Sequence, residues 1–359
     1  MRAGMHAVWP ACLAVACSVS FGTGRARTVE VPPLSDEAAA RLSTLRRAVA
    51  ERPDDPQALR DLGIFAMWRT LEGHRALQTE AEEALIAALA ADPTDKTVAR
   101  MLGRFFNMRA VEGDVSRAEA QVWAYEIYLG EAAGDPMALT MRGFTAWCFA
   151  QMGRALVLAK KRRLVRALRT VRRLEKTLER RAAAEPANVE LHALAGNFAF
   201  FFAGNLPAGK RRRIERAVTH FEYVREHWDR MRAGAKDPRH CPNTYENFMF
   251  ELAEGHLALG HSDRARAIYE SLVRVRPPVT PVKRQIAAAS RARIEHLDAL
   301  AGDLALMPPW PSDGDNCVVC HAPAAQVGFR TFYGPRPALL SEDGRRPRPE
   351  VGAPAAVRP

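Results

Sequence analysis

The stretch Leu252–Pro277 reads LAEGHLALGHSDRARAIYESLVRVRP, and it decides the fold class. Leu252, Ala253 and His256 precede Gly260, and Ala265, Tyr269 and Leu272 follow it, each set at the three-and-four spacing of a helix face. Small residues let two helices approach closely, Gly260 permits a tight turn between them, and Pro277 stops the second. The spacing therefore predicts an antiparallel helix pair. Working outward, Arg52-Pro53-Asp54, Asp92-Pro93-Thr94-Asp95, Asp135-Pro136 and Glu185-Pro186-Ala187-Asn188 each precede an apolar-periodic segment, as a helix stop followed by a new start does. Gly63, Gly103 and Gly143 fall 40 residues apart (103−63 and 143−103), with Leu62 and Leu102 before the first two. That is an internal repeat at solenoid period.

The Leu252–Pro277 unit resembles a tetratricopeptide repeat. The resemblance extends more loosely over residues 34–305, where helices or loops are longer than the family's typical repeat of about 34 residues. It implies an all-α fold, a TPR-like solenoid of antiparallel helix pairs with an irregular C-terminal segment. In such a stack no pair buries its apolar face alone, neighbours build one continuous core, and a concave groove is left for a peptide, a partner protein or a small ligand. A second pattern runs from Leu191 through the Gly204-Asn205-Leu206-Pro207 loop to Ala217-x-x-His220-Phe221-Glu222. It is similar to the exported repeat subunit associated with some TRAP transporters.

Composition agrees with helices. The chain has 359 residues and is 48% hydrophobic, enough for a sizeable core and too apolar for disorder over most of its length. Only 8% of residues are aromatic, and Thr, Val and Ile are sparse beside Ala, Leu and Arg, so long strands have few good formers. The formal charge of +11 favours acidic partners or an anionic lipid surface. The charge is concentrated: Arg154–Arg181 carries twelve Lys or Arg and only Glu175 and Glu179 as acids, while Leu164, Leu168, Val171, Leu174 and Leu178 line one side at helical spacing. With Lys210-Arg211-Arg212-Arg213, the basic helix 154–181 offers a face to anionic lipid or to an acidic protein; a solvated face is the plainer reading. No interleaved aromatic set or nucleic-acid-binding motif accompanies it, so nucleic acid is not an expected partner. The aromatic run Phe198, Phe200, Phe201 and Phe202, and Trp147-Cys148-Phe149, read as core, with Cys148 a small buried hydrophobe.

Residues 1–24 have the layout of a secretory or lipoprotein signal. Arg2 is followed by an apolar stretch from Ala7 to Ala16, too short to span a bilayer as a helix. Ala14-Val15-Ala16 is a small-x-small cleavage site, and Cys17 behind it is a lipidation candidate, although Ala14 stands where a lipoprotein signal usually has Leu. The expected location is the periplasm or a lipid anchor on the cell envelope. No other run is long enough to be a transmembrane segment.

The chemically pointed motif is Cys317-Val318-Val319-Cys320-His321, the C-x-x-C-H signature of c-type haem attachment. Two thiols three residues apart on one helical turn reach the two vinyl groups, and the next imidazole meets the iron. Cys317 and Cys320 are thus candidates for the thioethers of one covalent haem c, and His321 for the proximal iron ligand, on an attachment segment spanning 306–334. Alternatives remain: a Cys317–Cys320 disulfide or redox dithiol, or a metal site with His240-Cys241 as further donors. A thioredoxin-like dithiol would need a βαβ context, which the Pro-rich flanks do not offer. No Met or His follows His321, and Met307, His240, His256, His261 and His296 are weak candidates for the sixth position. Residues 335–359 are rich in Pro and Arg and read as disordered. No phosphate-binding glycine loop, H-E-x-x-H or G-x-S-x-G occurs, and no residue stands out as catalytic. The expectation is an exported TPR-like scaffold that carries one haem and docks a redox partner, or else a haem-free binding module.

Overall fold

The computed structural model describes residues 33–304 except 72–73, 112–116, 207, 231–243 and 277–280. Among the described residues every regular element is a helix: α1 Asp36–Glu51, α2 Pro56–Leu71, α3 Gln78–Ala91, α4 Lys96–Val111, α5 Ala118–Leu129, α6 Met141–Lys160, α7 Leu164–Ala184, α8 Val189–Asn205, α9 Lys210–Glu226, α10 Thr244–Ala258, α11 Ser262–Val273, α12 Pro281–Glu295 and the single turn α13 Leu297–Leu300. Short 3₁₀ turns lie at Arg75–Leu77 and Gly130–Gly134.

The proline punctuation marks helix boundaries because an acid or amide follows it to cap the next helix. α1, α3 and α7 end just before Arg52, Asp92 and Glu185. Asp55 then accepts from the Gln57 N–H at 2.9 Å, Asp95 from Thr97 and Val98 at 2.8 and 3.0 Å, and Asn188 from Leu191 at 3.1 Å. Each bond satisfies a donor that the first helical turn leaves open, worth about 1 kcal/mol per cap. Asp135-Pro136 behaves differently. It follows a 3₁₀ turn, and α6 starts only at Met141, capped by Thr140.

Each helix packs on its sequence neighbours, and next-but-one contacts join α2 to α4, α4 to α6, α6 to α8 and α10 to α12. Glycines set the closest approaches. A Cβ at Gly63 would lie 2.7 Å from Leu85, at Gly103 2.6 Å from the Tyr125 ring, at Gly196 2.6 Å from Phe221 and at Gly255 2.6 Å from Val218. Gly143 breaks the forty-residue series: it sits in the first turn of α6 and a Cβ there meets nothing closer than 3.4 Å. The long α5–α6 connection shifts the close contact along the helix to Gly153, 3.0 Å from Val122 and 3.2 Å from Gln121. Gly260 turns between α10 and α11 at φ +84°, which a Cβ would oppose.

The core forms two sections. One runs from Leu42 to Ala124 and the other from Tyr125 to Leu300, so they adjoin at α5. Phe198, Phe200, Phe201, Phe202, Trp147 and Cys148 are all buried, with Phe149 tilted on Phe198 at 5.6 Å. Each large side chain removed from water contributes about 1.5–3 kcal/mol. Polar links cross the helices as well. Gln121 Nε2 donates to Asn107 Oδ1 at 3.0 Å and to the Phe149 carbonyl at 2.8 Å, joining α4, α5 and α6.

Candidate functional site

Cys17, Cys317, Cys320 and His321 lie outside the described residues, as do His240, Cys241 and Met307. His256 and His261 are described and are engaged structurally. His256, 1% exposed, faces Glu222 Oε1 at 2.8 Å through Nε2 and His261 Nδ1 at 3.3 Å through Nδ1. A carboxylate only accepts, so Nε2 of neutral His256 carries the proton and Nδ1 accepts from His261. A parallel arrangement holds α8 on α9. His192 Nε2 donates to the Pro186 carbonyl at 3.2 Å, His192 Nδ1 meets His220 Nδ1 at 3.0 Å, and His220 Nε2 lies 3.6 Å from Glu179. Burial pushes His256 and His192 below the ordinary imidazole range; at His256 the Glu222 carboxylate opposes this incompletely. The hydrogen bond with His220 outweighs burial at Glu179 and lowers its carboxyl.

The second polar cluster is deeper. Glu254 of α10 takes a two-pronged bond from Arg293 of α12, with Nε at 2.8 Å and Nη2 at 3.3 Å, and a further bond from the Tyr269 hydroxyl of α11. All three residues are no more than 3% exposed. Burial alone would lower the Arg293 guanidinium, but the Glu254 charge reverses this and holds it above its usual value. Burial and the same carboxylate push the Tyr269 phenol well up. A paired, hydrogen-bonded triad of this kind ties three helices together. Its three side chains are closed off from solvent.

The outward-facing candidate is a ridge on the even-numbered helices. α4 is buried on most of its surface, and Arg100 and Arg104 stand one turn apart on what remains. The Arg104 guanidinium lies 5.0 Å over the Trp68 ring of α2, and Arg41 and Arg69 flank the Phe65 ring at 5.5 and 5.4 Å. Arg142, exposed at the start of α6, continues the ridge. Arg100 is half-buried, and burial together with the charges of Arg142 and Arg104 lowers its guanidinium, only partly offset by Tyr128 and Tyr125. Neither Arg100 nor Arg142 has a carboxylate partner among the described residues. Arg100 and Arg142 thus make an electropositive spot beside these rings that an anionic group would relieve.

No protein-family model, curated protein or solved structure matches this chain. The site is therefore read from its own chemistry. An open cleft of about 410 Å³ between α11 and α12 is lined by Glu270, Arg274, Arg291 and Glu295 over Val273 and Ile294, and its charges balance. It lacks an arginine pair without carboxylate partners such as Arg100 and Arg142 on the α4–α6 ridge. Among the described residues no three His, Cys, Asp or Glu side chains are grouped to hold a metal ion, and no helix is long and apolar enough to cross a membrane.

The arginine ridge was not among the sequence-level candidates, although a signal existed: Arg100 and Arg104 interrupt the otherwise apolar run from Val98 to Phe106. The Glu254–Arg293 pair had a weaker signal. Its partners are 39 residues apart, and only the fold brings them together.

Proposed function

We propose that this protein is an exported scaffold of TPR-like helix pairs that carries one covalent c-type haem and docks a redox partner in the cell envelope. The observation that carries the reading is the pentad Cys317-Val318-Val319-Cys320-His321. Cys317 and Cys320 would hold the thioethers and His321 the iron, and the bound haem would supply one-electron transfer. The partner's place is the arginine ridge of α2, α4 and α6. Its arginines and the half-buried Phe65 and Trp68 are residue types that concentrate binding energy at protein interfaces, and the arginines select an acidic partner segment.

The test is an absorption spectrum and an intact mass of the protein exported from a host with a c-type haem maturation system. The reading requires a covalently retained haem with a reduced α-band, and loss of the low-spin spectrum in His321→Ala. Colourless protein, two hydrogens lighter than the reduced chain, would replace it with the haem-free binding module in which Cys317 and Cys320 form a disulfide.

A further inference from the structure

We infer that the outer face of α7 is an electrostatic docking surface for an anionic phospholipid bilayer. The surface is made of described residues alone and is independent of the haem. α7 buries Ala167, Val171, Leu174, Thr177, Leu178, Arg181 and Ala182 against its neighbours. On the opposite side Arg166, Arg169, Arg173, Lys176 and Arg180 are exposed. At 3.6 residues per turn these five fall within an arc of about 80°, along about 21 Å of helix. They form one straight line of cations.

That line is left uncompensated because both acids of the helix are turned away from it. Glu175 accepts from Arg213 at 2.7 and 3.1 Å and from Arg216 at 2.7 Å, and Glu179 pairs with Arg216 at 3.3 Å and His220 at 3.6 Å, all on α9. None of the five outer cations has a carboxylate partner among the described residues. The nearby first turn of α9 adds Lys210, Arg211 and Arg212, placed against the helix macrodipole, which favours acids at that end. Like charges held together in this way lower the stability of the fold and are relieved by an external polyanion.

The form of the stripe selects the polyanion. A protein interface needs apolar anchors at its centre, and the only strongly exposed large apolar residue on α7 is Val165 at the end of the stripe. A helix in a DNA groove meets phosphates on both flanks and carries base-reading side chains between them; here one flank is acidic and paired, and the outer line holds cations alone. A single line of cations on a helix whose apolar side is already committed to the core matches a flat anionic plane. Contact would be shallow and salt-sensitive, without insertion.

The experiment is sedimentation of the full-length protein with vesicles of equimolar phosphatidylglycerol and phosphatidylcholine, and with vesicles of phosphatidylcholine alone, in a Cys17→Ser background so that no acyl chain contributes. Arg169→Gln/Arg173→Gln/Lys176→Gln removes three charges from the stripe. Arg47→Gln/Arg264→Gln/Arg274→Gln removes three exposed charges elsewhere and keeps the same net charge. At about fivefold per cation near an anionic surface, the stripe variant should bind the anionic vesicles roughly a hundredfold more weakly, and the control variant only slightly so. Both should keep the helical circular dichroism of the parent and melt no lower than it does. Equal losses in the two variants, no preference for anionic over neutral vesicles, or stripe-dependent binding of duplex DNA or oligoglutamate that exceeds vesicle binding at the same salt would each overturn the inference.

Discussion

At Gly103 the absence of one carbon atom decides how closely α4 and α5 pack. Gly103→Ala would place a methyl group 2.6 Å from the Tyr125 ring, which is fully packed and cannot swing away, so thermal unfolding should show a loss of about 1–3 kcal/mol. Gly143→Ala meets only ordinary contacts and should be neutral or slightly stabilising, because alanine is the better helix former. The pair of melts separates packing from propensity, which a shared forty-residue spacing does not. Glu254 is decisive for a different reason. Glu254→Ala leaves Arg293 charged and buried with its main partner gone, and denaturant titration should register a loss of about 3–5 kcal/mol. Glu254 and Arg293 looked like ordinary helix-surface charges in sequence, since neither position announces its burial.

Among the elements, α10 carries the clearest dependence on pH. Folding holds His256 below its ordinary value, so the unfolded chain takes up the proton first as pH falls. Stability should therefore be complete above pH of about 6.5, fall as pH drops below it, and level off once folded His256 is also protonated. His192 acts in the same direction. His256→Gln keeps a donor for Glu222 but cannot titrate, and melting temperatures across this range should show a shallower slope; an unchanged slope would assign the effect elsewhere. α7 offers a second case. Arg181 is 4% exposed, lies 4.4 Å over the Phe144 ring, and donates to the Pro136 and Leu139 carbonyls at 2.9 and 2.6 Å, holding the connection before α6 in place. Arg181→Met keeps the aliphatic stem and removes those bonds, so hydrogen exchange around Leu139 should quicken and stability should drop by about 1.5–3 kcal/mol. The basic and apolar sides of α7 are legible in sequence because helical spacing separates them. Which of its charges are paired is not, because the pairing depends on where α9 comes to rest.

At the scale of the molecule, the all-helical composition and most helix ends were legible from Pro, Gly and the capping Asp and Asn residues, whose effects are local. The packing of sequence neighbours was expected from the helix-pair pattern and not from connection length, since the α5–α6 connection is long. The candidate ligand ridge was not legible, because α2, α4 and α6 supply it jointly across next-but-one contacts. If that ridge receives an acidic segment, Arg100→Gln/Arg142→Gln should weaken fluorescently labelled oligoglutamate binding at least tenfold while leaving the melting temperature close to the parent's. Retained affinity would move the partner to another face.

Because each helix rests chiefly on the one or two before and after it, force applied at Ser35 and Leu304 meets, among the described residues, few pairings between distant helices. Pulled from those two residues, the helices should yield in successive steps of one or two, more like a zipper opening than a shell cracking. The adjoining of the two core sections at α5 marks where such a trace should pause. A helix stack built this way would lengthen under load and recover its fold from whichever section stayed intact.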